Sequence, residues 1–154
     1  MYKTISLRPI TFLGEGNKSI TAQSADYEHI HKLNDLFALL LASGWSQETV
    51  APGMRANYDH DNDPTAGQCT ITSLLVQDIF GGELVCIKFK AGGTHYFNRI
   101  NGQIIDLTRD QFTINGIDLS NAPIEPASRE HCLQNADAAN RYHILAKNLA
   151  LATL

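Results

Sequence analysis

A segment rich in apolar residues, 69–80, constrains the fold of this chain most strongly, because chain breakers bound it on both sides. The turn-forming sequence DPTAGQ (63–68) precedes it, and Gly81-Gly82 follows it. Glycine and proline at such positions mark the ends of regular structure, and a helix that is apolar on nearly every face lies in a protein interior. We therefore predict a central, buried helix whose first residue is Cys69.

The length and composition predict one globular domain that covers residues 1–154. A chain of 154 residues with 44% apolar side chains is long enough to bury roughly 70% of its unfolded surface and too apolar to be disordered. The formal charge of −4, with no run of basic residues, argues against nucleic acid as the main partner, since phosphate binding needs clustered Lys and Arg.

Targeting signals and the number of cysteines indicate the cellular compartment in which the protein is found. The N-terminal residues lack the long apolar core of a signal peptide, and no stretch reaches the ~20 apolar residues of a membrane span. The three cysteines cannot all pair within the chain and match no disulfide framework. We expect a cytoplasmic protein with no membrane partner, although an effector secreted without a signal peptide would have the same pattern.

The part before Cys69 predicts one helix and a long loop. Apolar residues at helical spacing indicate a helix from about Ala25 to Leu41, with Ser24 as its N-cap and Ser43-Gly44 at its end. Residues 1–24 are an N-terminal extension with two short extended pieces around residues 13–17. Residues 45–68 form a loop rich in Pro, Gly, Asn and Asp, and loops of this length in compact domains are often functional.

The part after residue 80 predicts a small antiparallel sheet and a closing helix. Asn101-Gly102 between two β-rich runs is the strongest short hairpin signal that a sequence offers. The predicted elements are a strand at about Glu83–Lys90, a hairpin of Thr94–Ile100 with Gln103–Thr108, and a helix from about Ala138 to Leu149 capped by Asn135 or Asp137. Helices, a sheet and a closing helix in this order indicate an α+β fold.

The hairpin turn determines which side chains share a face of the sheet. A two-residue turn at 101–102 places Phe97 opposite Asp106 and His95 diagonal to Asp106. Diagonal neighbours lie roughly 7–8 Å apart, within reach of a His–Asp hydrogen bond. We expect Asp106 to orient the imidazole of His95. The structural alternatives are a turn cap for Asp106 and an ordinary sheet histidine for His95.

Cys69 completes a candidate Cys–His–Asp triad with these two residues. The free N–H groups and the dipole of a helix N-terminus lower the pKa of a thiol, and packing the helix across the sheet would bring the sulfur to His95. Cysteine is more commonly a small buried residue. That is the interpretation we give to Cys86, in the middle of a strand, and to Cys132, in a polar C-terminal segment.

Other polar residues could form an oxyanion hole or a metal site, and each of these interpretations has an alternative. Gln68 and Asn98 could donate hydrogen bonds to an oxyanion, as could the backbone N–H of Cys69, or the two amides could satisfy loop backbone. The run DHDND (59–63) begins like a calcium loop, but proline and threonine stand where that loop needs glycine and glutamate. A zinc site of Cys69, His95 and a carboxylate lacks the usual paired ligand spacing. We predict no metal and no organic cofactor.

Several separated motifs resemble the bacterial YunG-like family, over about residues 45–112. They are NDP (62–64), GQC (67–69), LVQD (75–78), GG (81–82), HYFN (95–98), Gly102, DLTRDQF (106–112) and, in the last helix, Arg141-Tyr142. Residues 1–24 fall outside the resemblance. It implies a papain-like fold, in which Cys, His and the orienting residue follow in the same order. The Cys-bearing helix would then pack on the small sheet, with helices before it and one helix after it.

These features predict covalent thiol catalysis on a peptide, an amide or a thioester, including one carried by a protein. Cys69 attacks the carbonyl, His95 moves the proton and Asp106 orients His95. The acyl group then passes to water or to an amine. The alternative function is a non-catalytic binding or regulatory module on a papain-like scaffold, because folds are reused without chemistry.

Overall fold

The computed structural model describes residues 2–152 as a mixed fold of helices and small antiparallel sheets. The helices are α1 (Leu33–Leu39), α2 (Cys69–Phe80), α3 (Asp110–Thr113), α4 (Arg129–Gln134) and α5 (Ala136–Ala152). The strands are β1 (Tyr2–Lys3), β2 (Pro9–Ile10), β3 (Glu83–Lys88), β4 (Thr94–Ile100), β5 (Gln103–Ile105) and β6 (Glu125–Pro126). The predicted α+β class is confirmed.

Helix α2 is the central element, as its sequence predicts. It begins at Cys69 and ends at Phe80, and most of its side chains are buried. Gly81 ends it with a positive φ of 77°, and its N–H donates to the carbonyl of Gln77, because glycine adopts this conformation at a helix end without steric cost. One face of α2 packs on β4 and another on α5. Cys69 is therefore held at the edge of the core.

The main sheet has the strand order β5-β4-β3-β6, and every pairing is antiparallel. Both faces of β3 are covered: Val85 and Ile87 pack with Phe97 on one side, and Leu84 packs with Leu74 and Cys132 on the other. Strand β3 ends at Lys88, two residues before the predicted end. The predicted strand Gln103–Thr108 ends at Ile105, because the backbone of Asp106 pairs with Leu13 instead.

The first helix begins later than its apolar pattern predicts, but a π-helical turn, Leu40–Gly44, continues it to the predicted end at Ser43-Gly44. Helix α1 begins at Leu33, not at Ala25, and Ser24 is not its N-cap. The carboxylate of Asp35 accepts hydrogen bonds from the backbone N–H groups of His31 and Lys32 and so fixes the helix start. Ile30 is buried as predicted, but it reaches the core from irregular chain that precedes the helix.

The two ends of the chain also differ from the prediction in their boundaries. The two extended pieces of the N-terminal region, β1 and β2, pair with each other and both precede Leu13. We call residues 2–17 the N-terminal arm. Helix α5 is longer than predicted, and the side chain of Asn135, one of the two predicted caps, accepts a hydrogen bond from the N–H of Ala138. No helix within residues 2–152 is long and apolar enough to cross a membrane.

Candidate active site

Cys69 is the first residue of α2, and the residues before it are tightly packed. Gly67 has a positive φ of 70°, and a Cβ at this position would lie 2.8 Å from a methyl group of Val50. A side chain is excluded there both by conformation and by space. The indole N–H of Trp45 donates to the hydroxyl of Thr72 at 2.9 Å, one turn further along the helix. Packing thus fixes the backbone position from which the Cys69 side chain extends. Cys69 itself is partly exposed to solvent.

His95 lies on β4 and is held between aromatic rings. Its imidazole stacks on Phe97 with ring centroids 5.3 Å apart, and it meets the edge of Phe112 at 4.6 Å. The side chain is 1% exposed. A ring packed in this way has little freedom to rotate, so the directions of its two nitrogen atoms are determined by the fold.

Asp106 accepts hydrogen bonds with both carboxylate oxygens. Oδ2 lies 2.6 Å from Nε2 of His95 and accepts from Nε of Arg109 at 2.7 Å. Oδ1 accepts from the backbone N–H and the hydroxyl of Thr108. Asp106 therefore orients the imidazole and also caps the turn that follows it, so the two interpretations of its role are compatible.

The contact between His95 and Asp106 is the one that the hairpin geometry predicts. The ladder of β4 and β5 pairs Ile100 with Gln103 and Asn98 with Ile105, which is the predicted register. Asp106 comes next in that register, although its backbone has left the ladder to exchange two hydrogen bonds with Leu13, at 2.9 and 3.2 Å. The side chains of His95 and Asp106 still meet on the predicted face.

Nδ1 is the nitrogen of His95 that remains available to the thiol of Cys69. Nδ1 is buried and has no hydrogen-bond partner of normal geometry among the described residues, while the interaction with Cys69 perturbs the ionisation of both side chains. Nε2 is already bonded to Asp106. The structure thus brings the three predicted triad residues together in the order thiol, imidazole, carboxylate.

The electrostatics of the site favour a thiolate and an imidazolium. Burial alone would raise the pKa of Cys69, but the hydrogen bond and positive charge of His95, aided by the backbone of Tyr96, lower it below its ordinary value. Burial would lower the pKa of His95, yet the charge and hydrogen bond of Asp106, together with Cys69, raise it to about 9. Both shifts favour a proton on the imidazole over a proton on the thiol.

Asp106 stays ionised although it is buried. Burial opposes its charge, but His95 and then Arg109 outweigh that effect, and the pKa of Asp106 is lowered. The sequence signal for Arg109 was present in the DLTRDQF motif, but nothing in residue spacing showed that its guanidinium turns back to the carboxylate. The guanidinium also lies over the ring of Phe97, 5.5 Å from its centroid. Arg109 and Phe112 are the site residues that sequence reasoning did not single out.

Two amides beside the thiol bond to backbone carbonyls. Gln68 is fully buried, and its Nε2 donates to the carbonyl of Ser46 at 3.2 Å. Nδ2 of Asn98 donates to the carbonyl of Ser73 at 2.9 Å. Each amide nitrogen carries a second N–H besides the one bonded to that carbonyl, and the oxyanion role of both residues stays a prediction. The backbone N–H groups at the start of α2 have no such competing acceptor within the helix.

The pKa shifts of the other two thiols do not come from an imidazole. Cys86 is in the middle of β3 and Cys132 is in α4, and both are buried and free. Burial raises the pKa of each of them. His29 and His31 lie in irregular chain before α1, although the predicted helix from Ala25 to Leu41 included them. Within residues 2–152 no group of three or more His, Cys, Asp or Glu side chains is placed to hold a metal ion.

A cavity of about 530 Å³ lies between the N-terminal arm and α3. Its lining includes Tyr2, Arg8, Glu15, Asp110 and Ile114, and it includes none of the three triad residues. This cavity is therefore separate from the three candidate triad residues.

Comparison with known proteins identifies the family. The family model described as "YunG protein" matches residues 32–153. The chain belongs to the YunG family. A Bacillus subtilis (strain 168) protein with the name "Uncharacterized protein YunG" is 34% identical over 85 residues, which cover 53% of this chain and 66% of that relative. No solved structure matches this chain, and the papain-like fold stays a prediction.

The extent of the family match has a structural meaning. Cys69, His95 and Asp106 all lie within residues 32–153, the part that the YunG model matches, whereas the N-terminal arm precedes it. The arm nevertheless contacts the same turn that carries Asp106. The site of this chain is thus built from YunG family residues and from contacts that residues 2–17 add.

Proposed function

We propose that this protein is a thiol-dependent hydrolase or acyl transferase, with a papain-like fold in one domain over residues 1–154 and a location in the cytoplasm. The observation that supports the proposal is one continuous arrangement of three side chains. His95 interacts with the Cys69 thiol and is hydrogen-bonded to Asp106 at 2.6 Å. Nucleophile, base and orienting carboxylate in mutual contact are the signature of covalent acyl transfer.

The first half of the reaction forms an acyl thioester. The Cys69 thiolate attacks the carbonyl carbon of an amide or thioester, and the carbonyl electrons move to oxygen. The tetrahedral intermediate collapses, the bond to the leaving amine or thiol breaks, and the leaving group takes the proton held by the His95 imidazolium. Asp106 keeps Nε2 of His95 bonded throughout, so the other nitrogen stays directed at the reacting atoms.

The second half transfers the acyl group. Neutral His95 removes a proton from water or from an amine, which attacks the thioester carbonyl, and Cys69 leaves as the thiolate. Water gives a peptidase, amidase or thioesterase reaction, and an amine gives acyl transfer. The backbone N–H groups at the start of α2 are the donors best placed for the oxyanion. Gln68 and Asn98 each keep one further N–H for the oxyanion while the other bonds to the carbonyl of Ser46 or Ser73.

A non-catalytic binding or regulatory module is the second candidate function. One observation favours it: the side chain of His95 is 1% exposed, so a ligand meets the site only through the partly exposed Cys69. In that case the thiol would be reactive without turnover. Reactivity and turnover must therefore be measured separately.

The first experiment measures the reactivity of each thiol. The folded protein is treated with iodoacetamide at pH 6, and mass spectrometry reports the alkylation of each cysteine. We expect Cys69 to react faster than Cys86 or Cys132, since its pKa is lowered while theirs are raised and the thiolate is the reactive form. Preferential labelling of Cys86 or Cys132 would contradict the assignment of Cys69 as the nucleophile.

The second experiment measures turnover. A chromogenic acyl ester is mixed with the wild type, with Cys69→Ser and with Cys132→Ser as a matched control for the loss of a thiol. For an enzyme we expect an acyl group on Cys69 and continued product release in wild type and Cys132→Ser, and neither in Cys69→Ser. A stable acyl group on Cys69 with no further product release would favour the non-catalytic module.

A further inference from the structure

The N-terminal arm contacts both stretches of chain that carry the candidate site. On one side the N–H of Ser6 donates to the carbonyl of Asp61 at 2.9 Å, in the loop that leads to Cys69. On the other side Leu13 exchanges backbone hydrogen bonds with Asp106 itself, at 2.9 and 3.2 Å. The arm therefore spans from the loop of the nucleophile to the turn of the carboxylate.

Arg8 is the side chain that joins the two stretches directly. Nη1 and Nη2 donate to the two carboxylate oxygens of Asp110, at 3.2 and 2.7 Å. Nε donates to the carbonyl of Asn62 at 3.1 Å, and Nη2 donates to the same carbonyl. Asp110 is 6% exposed and begins α3, one residue after Arg109. A planar guanidinium that bonds two segments at once fixes their relative position better than a flexible point charge.

The charges around Arg8 make this contact more than a surface ion pair. Asp63 lies in the same loop as Asn62, and its pKa is raised by burial and by the charge of Asp110, an effect that Arg8 opposes. One oxygen of Asp63 is buried without a hydrogen-bond partner among the described residues. Without Arg8 the carboxylates of Asp63 and Asp110 would repel each other and move the loop and the turn apart.

We propose that Arg8 is a positioning residue, through which the N-terminal arm holds the Cys69 loop and the Asp106–Asp110 turn at the separation that lets His95 contact both Cys69 and Asp106. The inference rests on the proposed function and concerns the same site. Arg8 touches none of the three triad residues in this role and acts through Asn62 and Asp110. The family model matches residues 32–153, so this positioning device belongs to a segment that the family match does not include.

The test is the pH profile of Cys69 alkylation by iodoacetamide in folded variants. In Arg8→Gln we expect the midpoint of the profile to move up by about one pH unit, which lowers the rate at pH 6 by about tenfold. Arg8→Lys keeps the charge but loses the planar pair of bonds, and we expect an intermediate shift. Arg99→Gln is the matched control, because Arg99 forms an exposed ion pair with Glu83, and it should leave the profile unchanged.

The positioning role of Arg8 and the proposed function are contradicted by different results. If Arg8→Gln does not fold, Asp110→Asn is used, since it keeps the shape of the side chain and removes the ion pair, and the same upward shift is expected. An unchanged profile in a folded Arg8→Gln or Asp110→Asn protein overturns the positioning role and leaves the proposed function intact. A wild-type profile centred on the ordinary thiol pKa, about 8.5, overturns the proposed function, and the positioning role with it.

Discussion

Cys69 and Cys132 are both free thiols on helices, and both are in contact with the core, yet their surroundings shift their pKa values in opposite directions. For each thiol, burial is the largest influence and raises the pKa. Near Cys132 the main opposing influence is a hydrogen bond from Tyr96, which is too weak to reverse the shift. Near Cys69 the imidazole of His95 brings a hydrogen bond and a positive charge, and the pKa is lowered.

This comparison separates two explanations of a reactive thiol. A helix N-terminus lowers a thiol pKa by itself, and Cys69 has that position. At Cys69 the hydrogen bond and the charge of His95 also lower the pKa, and both depend in turn on Asp106. Reactivity at this site is therefore a property of the β4–β5 hairpin as much as of helix α2.

Removal of the imidazole is the change that should make Cys69 most like Cys132. In His95→Gln the opposing charge is lost while burial remains, so the pKa of Cys69 should rise above its ordinary value. We expect alkylation of Cys69 at pH 6 to slow by about 100-fold, as measured by mass spectrometry. His143→Gln, at an exposed position of α5, is the control. An unchanged rate in His95→Gln would mean that the helix terminus alone activates the thiol.

Removal of the carboxylate charge should have a smaller effect. In Asp106→Asn the side chain keeps its shape but no longer favours the imidazolium, so the pKa of His95 should fall from about 9 by about one unit or more. The alkylation rate of Cys69 at pH 6 should fall by about tenfold. Histidine NMR titration measures the first effect without a substrate, with the exposed Asp26→Asn as control. If His95 has the same titration curve in the wild type and in Asp106→Asn, Asp106 does not contact the imidazole in solution.

The sequence predicted the parts of this site that depend on local rules. The helix from Cys69 and the register of the hairpin follow from breakers, apolar runs and the Asn-Gly turn, all of which act over a few residues. These two elements were sufficient to place His95 beside Asp106, and the contact is present in the structure.

The parts that sequence reasoning missed depend on distant or competing contacts. Arg8 and Asp110 are 102 residues apart, and no periodicity links them. The predicted strand Gln103–Thr108 is cut short because Leu13, from the other end of the chain, takes the backbone of Asp106. The first helix begins late because the side chain of Asp35 caps it from within the predicted helix. Apolar spacing identified Ile30 as buried but could not show whether helical or irregular chain buries it.

The pH dependence of stability provides a third test of the interaction between Cys69 and His95, and its expected effect is the smallest. The folded pKa of His95, about 9, lies above its unfolded value of about 6.5. Its stabilising contribution is therefore fully present below pH ~6.5 and is lost as the pH rises through the folded pKa. The folded pKa of Cys69 is lowered, so its contribution is present above its unfolded value of about 8.5 and is lost as the pH falls through the folded pKa.

Because these two slopes have opposite signs, they offset each other in the wild type in the part of the range from pH ~6.5 to ~8.5 that lies above the folded pKa of Cys69. In Cys69→Ser the thiol slope is gone, while Asp106 still raises the pKa of His95. We expect the free energy of unfolding of Cys69→Ser to fall by about 1 kcal/mol per pH unit over this range, and that of the wild type to fall less steeply. Urea denaturation at several pH values measures both, and Cys132→Ser, which keeps the ion pair, should follow the wild type. Equal slopes in wild type and Cys69→Ser would show that Cys69 and His95 titrate independently, and the lowered pKa of Cys69 would then need a cause other than the imidazole.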